Sequence, residues 1–379
     1  MQSRALRRSL ILFCLALLFM GAIEIGLRLF PNTLNPRMGN VVYSRYGEFP
    51  GGIYYREPHS GIRLMKRDHR DTLYFNGYRW EHQTDSFGFR NPVDVKSKDV
   101  LLLGGSLVYG HGVSAQDVVS ERLRVMGVDA YNMARQGDGL HSSYVLFRTF
   151  LEEFAPKRVV LFAFNNDLAD LMEHPAYAAL GADNPPPELL EYDYRKVRQG
   201  IFSGDTTQHS FGRRIRYHTL AFRFWRAMGK EIEARLAAPA PGANDTGAIP
   251  APPYLQPLLD PRALETGRNY YRHVLADMAT RCAQRNIEFS IVHLHAYQPA
   301  RSRAHMDAAA EFVQLLQATC EPLDIPFHDT TTLFEGRSDC FLKVDGHFNA
   351  EGHRVLAEYL KREVFAGVTS KQRENESSR

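Results

Sequence analysis

From residue 99 onward the sequence alternates between short apolar runs and longer amphipathic stretches, a rhythm that few folds accommodate. Apolar runs fall at 99–103, 129–133, 158–164, 287–294 and about 325–328, the length of strands rather than of helices. Stretches at about 115–126, 141–154, 263–285, 303–319 and 350–364 carry apolar residues at helical spacing. A strand that is apolar on both faces must be covered on both, and the intervening helices supply the cover. The pattern predicts an α/β/α sandwich around a mostly parallel sheet, with right-handed crossovers.

The rhythm breaks between about 170 and 262. Pro185-Pro-Pro187 and the prolines from 239 to 253 bracket a segment containing Arg213-Arg-Ile-Arg-Tyr-His-Thr-Leu-Ala-Phe-Arg-Phe-Trp-Arg226. This reads as a partly helical insertion with flexible flanks. Residues 31–97 are rich in aromatics and glycine and read as short strands and loops leading into, and packing on, the main domain at 98–365. The polar residues 366–379 read as a disordered tail.

The first thirty residues follow other rules. Arg4, Arg7 and Arg8 precede fifteen uncharged residues, Ser9 to Ile23. Adding Glu24–Phe30 brings the run past the roughly 20 residues that a bilayer requires. Glu24 and Arg28 stand four apart and can pair near the end of the span. Pro31-Asn-Thr-Leu-Asn-Pro follows, not an Ala-x-Ala site, so residues 1–30 are expected to be an uncleaved single-pass anchor rather than a signal peptide. Basic residues ahead of the span place the N-terminus inside and the rest outside the cytoplasm, periplasmic or extracellular. Forty-six Lys and Arg against 43 Asp and Glu leave a net charge of +3 with the basic residues dispersed, and nothing calls for nucleic acid. Cys14 lies in the anchor. Cys282, Cys320 and Cys340 are odd in number; an exported domain could oxidise one pair, and the sequence does not choose it.

The sharpest local signal is the end of the first apolar run, Val100-Leu-Leu-Leu-Gly-Gly-Ser106. A Walker loop would need Gly-Lys-Ser/Thr, and no Gly-x-Gly-x-x-Gly is present. Val108 stands where the elbow Gly-x-Ser-x-Gly requires glycine. What remains is a plain tight turn, or a serine at the carboxyl edge of the sheet, where ligand chemistry gathers. A serine hydroxyl becomes a nucleophile only beside a base. Lys343-Val-Asp-Gly-His347 supplies one, with Asp345 on the same loop to orient the ring and stabilise its charged form. Asn349 is a candidate cap for the helix that follows. Gly137 follows the second strand and Asn166-Asp167 the third, so both reach the edge that carries Ser106. The N–H groups of Ser106 and Gly137 and the Asn166 amide are candidate oxyanion donors. Taken singly, Gly137 is a turn glycine and Asn166-Asp167 a turn with a helix cap.

Four blocks, Gly-Gly-Ser106, Asn132-x4-Gly137, Asn165-Asn166-Asp167 and Asp345-x-His347 followed by Asn349-x-x-Gly-His353, resemble the SGNH/GDSL hydrolase superfamily over about 98–365. The anchor and Asp85-Ser-Phe-Gly-Phe-Arg90 are similar to membrane-tethered members. The resemblance implies a flavodoxin-like three-layer fold and esterase or acyltransferase chemistry through a seryl ester, with no cofactor and no metal. It implies Ser106 as nucleophile, His347 as base, Asp345 as its orienter, and Ser106, Gly137 and Asn166 as the oxyanion hole. Three departures stand out. Gly105 replaces the usual Asp, Phe164 replaces a glycine, and Asp-x-His is one residue shorter than the usual Asp-x-x-His. Some exported glycan O-acetyltransferases look like that last feature, which leaves Asp339 or a backbone carbonyl as other partners for His347. The expected activity is an extracytoplasmic esterase acting on O-acylated carbohydrate. A glycan O-acetyltransferase and a non-catalytic envelope protein on the same scaffold are the alternatives.

Three further features are read from the residues. His293 and His295 share a face of a strand but lack a third ligand at a telling spacing, so no metal site is expected. His111 reads as a surface turn that could border a substrate. In the insertion, Arg216, Arg223, Arg226 and Lys230 share one helical face while Ile215, Phe222 and Trp225 share another. That fits a helix packed on the domain, a lid, or a membrane contact.

Overall fold

The computed structural model describes residues 2–92, 95–173, 191–205, 207–237, 253–295 and 303–366. In chain order the helices are α1 (Gln2–Leu29), α2 (Pro36–Tyr43), α3 (Ser106–Tyr109), α4 (Val119–Val125), α5 (Leu140–Phe154), α6 (Asp167–Glu173) and α7 (Tyr194–Ser203). They continue with α8 (Phe211–His218), α9 (Leu220–Ala237), α10 (Gln256–Leu259), α11 (Pro261–Ala283), α12 (Arg303–Cys320), α13 (Thr331–Phe334) and α14 (Ala350–Tyr359). Two compact units result. The smaller is Met1–Tyr54 with Thr72–Trp80 and Thr206–Thr246; the larger is Tyr55–Asp71, Glu81–Asp205 and Gly247–Arg379. The lead-in and the insertion are therefore each divided between the units rather than standing as separate blocks. Two short two-stranded sheets, Tyr54–Arg56 with Arg63–Met65 and Arg70–Phe75 with Tyr78–Gln83, occupy the lead-in. The proline cluster 185–187, all but the last residue of 239–253, and the tail from 367 lie outside the described residues.

The larger unit is built on one five-stranded sheet, here numbered within itself: β1 (Val100–Leu103), β2 (Ala130–Asn132), β3 (Arg158–Ala163), β4 (Glu288–His293) and β5 (Phe327–Asp329). Every pairing is parallel and the order is β2-β1-β3-β4-β5. This is the flavodoxin-like order, whose direction reverses between β1 and β3. All residues of β1 and β3 are buried, as the unbroken apolar runs require. Leu101, Leu103, Val159 and Leu161 share a core with Tyr144, Phe147 and Phe150 of α5, Val274 and Met278 of α11, and Phe312 of α12. The alternate residues Leu102, Val160 and Phe162 are equally buried, and α4 and α14, packed on each other, form the second layer. All four cysteines are free thiols. Burial pushes Cys282 and Cys320 up to about 12, so both are inert at neutral pH.

In the smaller unit α9 packs on α1 and α2 around Leu27, Val42, Tyr43, Tyr74 and Ala227. Asn35 caps α2 by accepting the Met38 N–H at 3.0 Å, and Pro36 follows at the first helical position. Arg223 donates to the carbonyls of Val41 and Ser44, which explains why this arginine of α9 is buried while Arg226 is exposed. The cationic face expected to run from Arg216 to Lys230 is thus interrupted at Arg223. Along α1, Leu6–Leu29 has a mean hydropathy of 2.5 and an almost wholly exposed surface.

Glycines bring the loops after β1, β2 and β3 together. A Cβ on Gly104 would stand 3.0 Å from Phe162, one on Gly105 2.8 Å from the Asp138 carbonyl oxygen, and one on Gly139 3.0 Å from the Asp167 carbonyl oxygen. Gly105 has an ordinary φ of −94°, so its requirement is purely one of space. An aspartate at this position would have its Cβ pressed against the Asp138 carbonyl. Gly105→Ala is expected to lower unfolding stability by about 1–3 kcal/mol through this overpacking, read as a reduced urea midpoint at unchanged m-value.

Candidate active site

Ser106 opens α3 directly after the Gly105 cap. Its N–H is therefore among those with no partner inside the helical turn. His347 lies on the loop before α14, and its Nε2 is 2.7 Å from Ser106 Oγ. Its Nδ1 is hydrogen bonded to Asp345 Oδ1. The same carboxylate oxygen accepts the His347 backbone N–H at 3.1 Å. The single intervening residue makes this possible: the short spacing lets Asp345 grip main chain and ring of His347 at once. Asp339, the other carboxylate considered from sequence, pairs instead with Arg337 at 3.0 Å. With Nδ1 donating its hydrogen to Asp345, Nε2 presents a lone pair to the serine hydroxyl.

The loop that carries His347 is closed on itself. Phe341 and Phe348 form an antiparallel bridge, and Leu342 N–H donates to the His347 carbonyl at 2.9 Å. Asn349 caps α14 by accepting the Gly352 N–H at 3.0 Å, while its amide donates to the carbonyls of Asp339 and Phe341.

Gly137 and Asn166 stand on the loops after β2 and β3, the strands flanking β1. Gly137 has φ +72°, and its carbonyl accepts from Arg63 at 3.1 Å. The Asn166 amide donates to Asp170 Oδ2 at 2.9 Å, which ties one of its two N–H bonds. Asp167 is structural: buried, it accepts the Phe164 N–H at 3.1 Å and the Tyr271 hydroxyl at 3.3 Å. Burial, reinforced by neighbouring Asp170, pushes its carboxyl well above the usual range.

The Asp85–Arg90 segment braces these loops. Arg90 donates to the carbonyls of Tyr109, Gly110 and Val113 around the turn after Ser106. Asp85 accepts the Tyr131 hydroxyl, and Asn91 exchanges two hydrogen bonds with the Asn132 backbone. Beneath Gly105, Arg135 and Asp138 form a buried ion pair at 2.6 Å. Burial pushes Asp138 up to about 6 even beside that guanidinium.

His111 is not a surface turn. Only 1% exposed, it stacks on His347 with ring centroids 4.3 Å apart at 32° and donates from Nδ1 to Gln136 Oε1 at 2.7 Å. Gly110 and Gly112, both at positive φ, turn the ring inward; these flanking glycines were the available sequence signal. His293 also has a role that its spacing with His295 did not reveal. It donates from Nδ1 to Asp329 Oδ1 at 2.8 Å and places Nε2 3.1 Å from Asn165 Oδ1, so it braces the Asn165-Asn166 turn. Burial alone would raise Asp329, but hydrogen bonds from His293 and Thr331 outweigh it and bring the carboxyl down to about 2. Among the described residues, His111, Asp345 and His347 bring potential metal-ligating atoms within 4.8 Å of one another. Both ring nitrogens of His347 in that group are already hydrogen bonded.

No protein-family model matches the chain, and no curated protein matches it. Among solved structures it is similar to a psychrotrophic esterase from Pseudoalteromonas sp., at 10% identity and a TM-score of 0.37, covering 72% of this chain and 100% of that one. A GDSL-like lipase from Bacteroides thetaiotaomicron aligns at 13% identity and TM-score 0.37, over 73% and 91% of the two chains. A lipase/acylhydrolase from Enterococcus faecalis aligns at 16% and 0.36, over 70% and 95%. At these identities and TM-scores the likenesses carry no inference about this chain.

The buried imidazoles have a measurable consequence. Burial holds His111 and His353 down to about 3, against an ordinary 6.5. Each therefore takes up a proton on unfolding once the pH is below about 6.5, and the unfolded state binds more protons than the native one. Their contribution is fully present above pH 6.5 and is lost as the pH falls toward 3, by about 1.4 kcal/mol per pH unit for each ring. The raised carboxyls of Asp138 and Asp167 act in the opposite sense over pH 7 to 5, so the histidine contribution is read as a difference between wild type and a variant. Below pH 6.5 the stability of His353→Gln, read from its urea midpoint, is expected to lose less with falling pH than that of the wild type, by about 1.4 kcal/mol per pH unit, while the Ser106–His347 contact stays in place.

Proposed function

We propose that this chain is a membrane-anchored serine ester hydrolase of the SGNH type, working outside the cytoplasm through a seryl ester on O-acylated, chiefly O-acetylated, carbohydrate. The observation that carries the reading is the chain of contacts from Ser106 Oγ to His347 Nε2 at 2.7 Å, and from His347 Nδ1 to Asp345. The position of Ser106 and Asn166 beyond β1 and β3, where the strand order reverses, supports it. The exported, carbohydrate-directed part rests on α1, on Arg4, Arg7 and Arg8 ahead of it, and on the resemblance of the Asp-x-His block to some exported glycan O-acetyltransferases.

In this mechanism His347 Nε2 takes the proton of Ser106 as Oγ attacks the ester carbonyl. Asp345 stabilises the imidazolium that forms. Negative charge grows on the carbonyl oxygen and is met by the N–H groups of Ser106 and Gly137 and by the second N–H of Asn166. His347 then protonates the departing alcohol. Water, deprotonated by the same imidazole, releases the acid and restores the serine. A sugar hydroxyl in place of water would make the reaction a transfer, and the short Asp345-x-His347 spacing is the feature that favours this second reading.

The test is hydrolysis of p-nitrophenyl acetate by the full chain in detergent, with and without an oligosaccharide acceptor. Ser106→Ala and His347→Ala are each expected to lower kcat by at least about 10³-fold, and Asp345→Asn by about 10²–10⁴-fold. A fluorophosphonate should label the wild type and spare Ser106→Ala. Acetylated oligosaccharide in place of free acetate would mark the transferase. Equal rates for wild type and Ser106→Ala on every ester would leave only a non-catalytic scaffold.

A further inference from the structure

Within the smaller unit, α9 docks on the span helix below its carboxyl end. The Ala221 N–H donates to Glu24 Oε2 at 2.8 Å, and the Trp225 indole N–H points at Met20 Sδ at 3.2 Å. The Trp225 and Phe19 rings lie 6.5 Å apart. Glu24, ion-paired with Arg28 at 2.6 Å, is the first charge after the apolar run and marks where the span meets polar surroundings. Trp225 is level with Met20, four residues or about 6 Å to the apolar side of that mark.

The outward surface of α9 is divided lengthwise. At about 100° per residue, Phe222, Trp225, Gly229 and Ile232 fall within an arc of about 80°, and Arg226 and Lys230 occupy the neighbouring sector. Phe222, Trp225 and Ile232 are 48%, 45% and 52% exposed, and Arg226 and Lys230 are exposed as well. Glu233 is the exposed acid, two turns beyond Arg226. In α8, Phe211 and Ile215 are exposed one turn apart, among exposed Arg213, Arg214 and Arg216. Large apolar side chains left in water cost about 25 cal/mol per Å². An apolar stripe edged by cations, fixed against a helix of span length, matches a helix lying in the headgroup layer.

We infer that α9, with α8, is an interfacial helix embedded in the leaflet that surrounds the carboxyl end of α1. Phe222, Trp225 and Ile232 reach the acyl chains, and Arg226 and Lys230 reach lipid phosphates. The inference rests on the reading of α1 as a retained span. The indole suits that depth because its ring is apolar and its N–H polar, and the cationic side chains can extend from a helix at the boundary into the headgroups. The surface is thus assigned to lipid, rather than to a lid.

The test uses the full chain in phosphatidylcholine–phosphatidylglycerol vesicles with bromine placed at shallow or deep acyl positions. The chain has two tryptophans and Trp80 is buried, so the signal of Trp225 is wild-type emission minus that of Trp225→Phe. Shallow bromines are expected to quench this signal at least twofold more than deep ones, with acrylamide nearly ineffective. R226E/K230E should shift it toward acrylamide quenching; an unchanged double variant overturns the phosphate contact. A second probe, Phe13→Trp on the Trp225→Phe background, should be quenched by deep bromines. If that probe is quenched while Trp225 responds only to acrylamide, the interfacial helix is wrong and the span stands. If neither is quenched, the span itself fails and the inference falls with it.

Discussion

Crowding of main chain at the carboxyl edge of the parallel sheet is the constraint on which the larger unit depends. Three loops leave β1, β2 and β3 within van der Waals reach of each other, and only glycine fits at Gly104, Gly105 and Gly139 without something shifting. Because the strands are parallel and fully buried, their ends all open on one side. Because the loops touch, a residue at the tip of one is held by the others. Ser106 is presented to His347 by backbone that has nowhere else to go. Arg90 clasps the turn just beyond it through carbonyls, so the serine is restrained on both sides.

Most of this architecture was legible in residue order, since unbroken apolar runs of strand length have few alternatives. β1 to β5 each fall within a residue or two of the runs that predict them. The Asn349 cap is formed, and Ser106 and His347, 241 residues apart in the chain, lie within hydrogen-bond reach. The misses share one physical cause: they depend on where distant pieces of chain pack. The turn at His111 looks like any glycine-flanked surface turn until a ring from the last loop lies over it. His293 looks like half of a metal site until Asp329 and Asn165 close on its two nitrogens. Gly105 looks like a missing acid until the Asp138 carbonyl is found in the space. The lead-in reads as one segment in sequence, yet its residues are distributed between two units.

Two classes of buried polar group support the site, and they do so differently. Arg135–Asp138 and His293–Asp329 are paired charges or near-charges whose partners hold loop conformation, and their value lies in specifying one arrangement rather than in raw stability. His111 and His353 are kept neutral by burial. They serve as flat, weakly polar packing surfaces, one beneath the His347 ring and the other against Phe348. A cation in either place would set a like charge beside any proton that His347 takes up.

The double grip of Asp345 on His347 separates two kinds of order. Carboxylate, ring and main chain form a closed loop spanning three consecutive residues, so their mutual geometry is encoded locally and would survive transplantation of the hairpin to a foreign scaffold. The distance from ring to serine belongs to the whole sheet. As the molecule warms or loosens, the second should drift while the first persists, so the site would come apart as a widening gap between two intact halves and not as the dissolution of either.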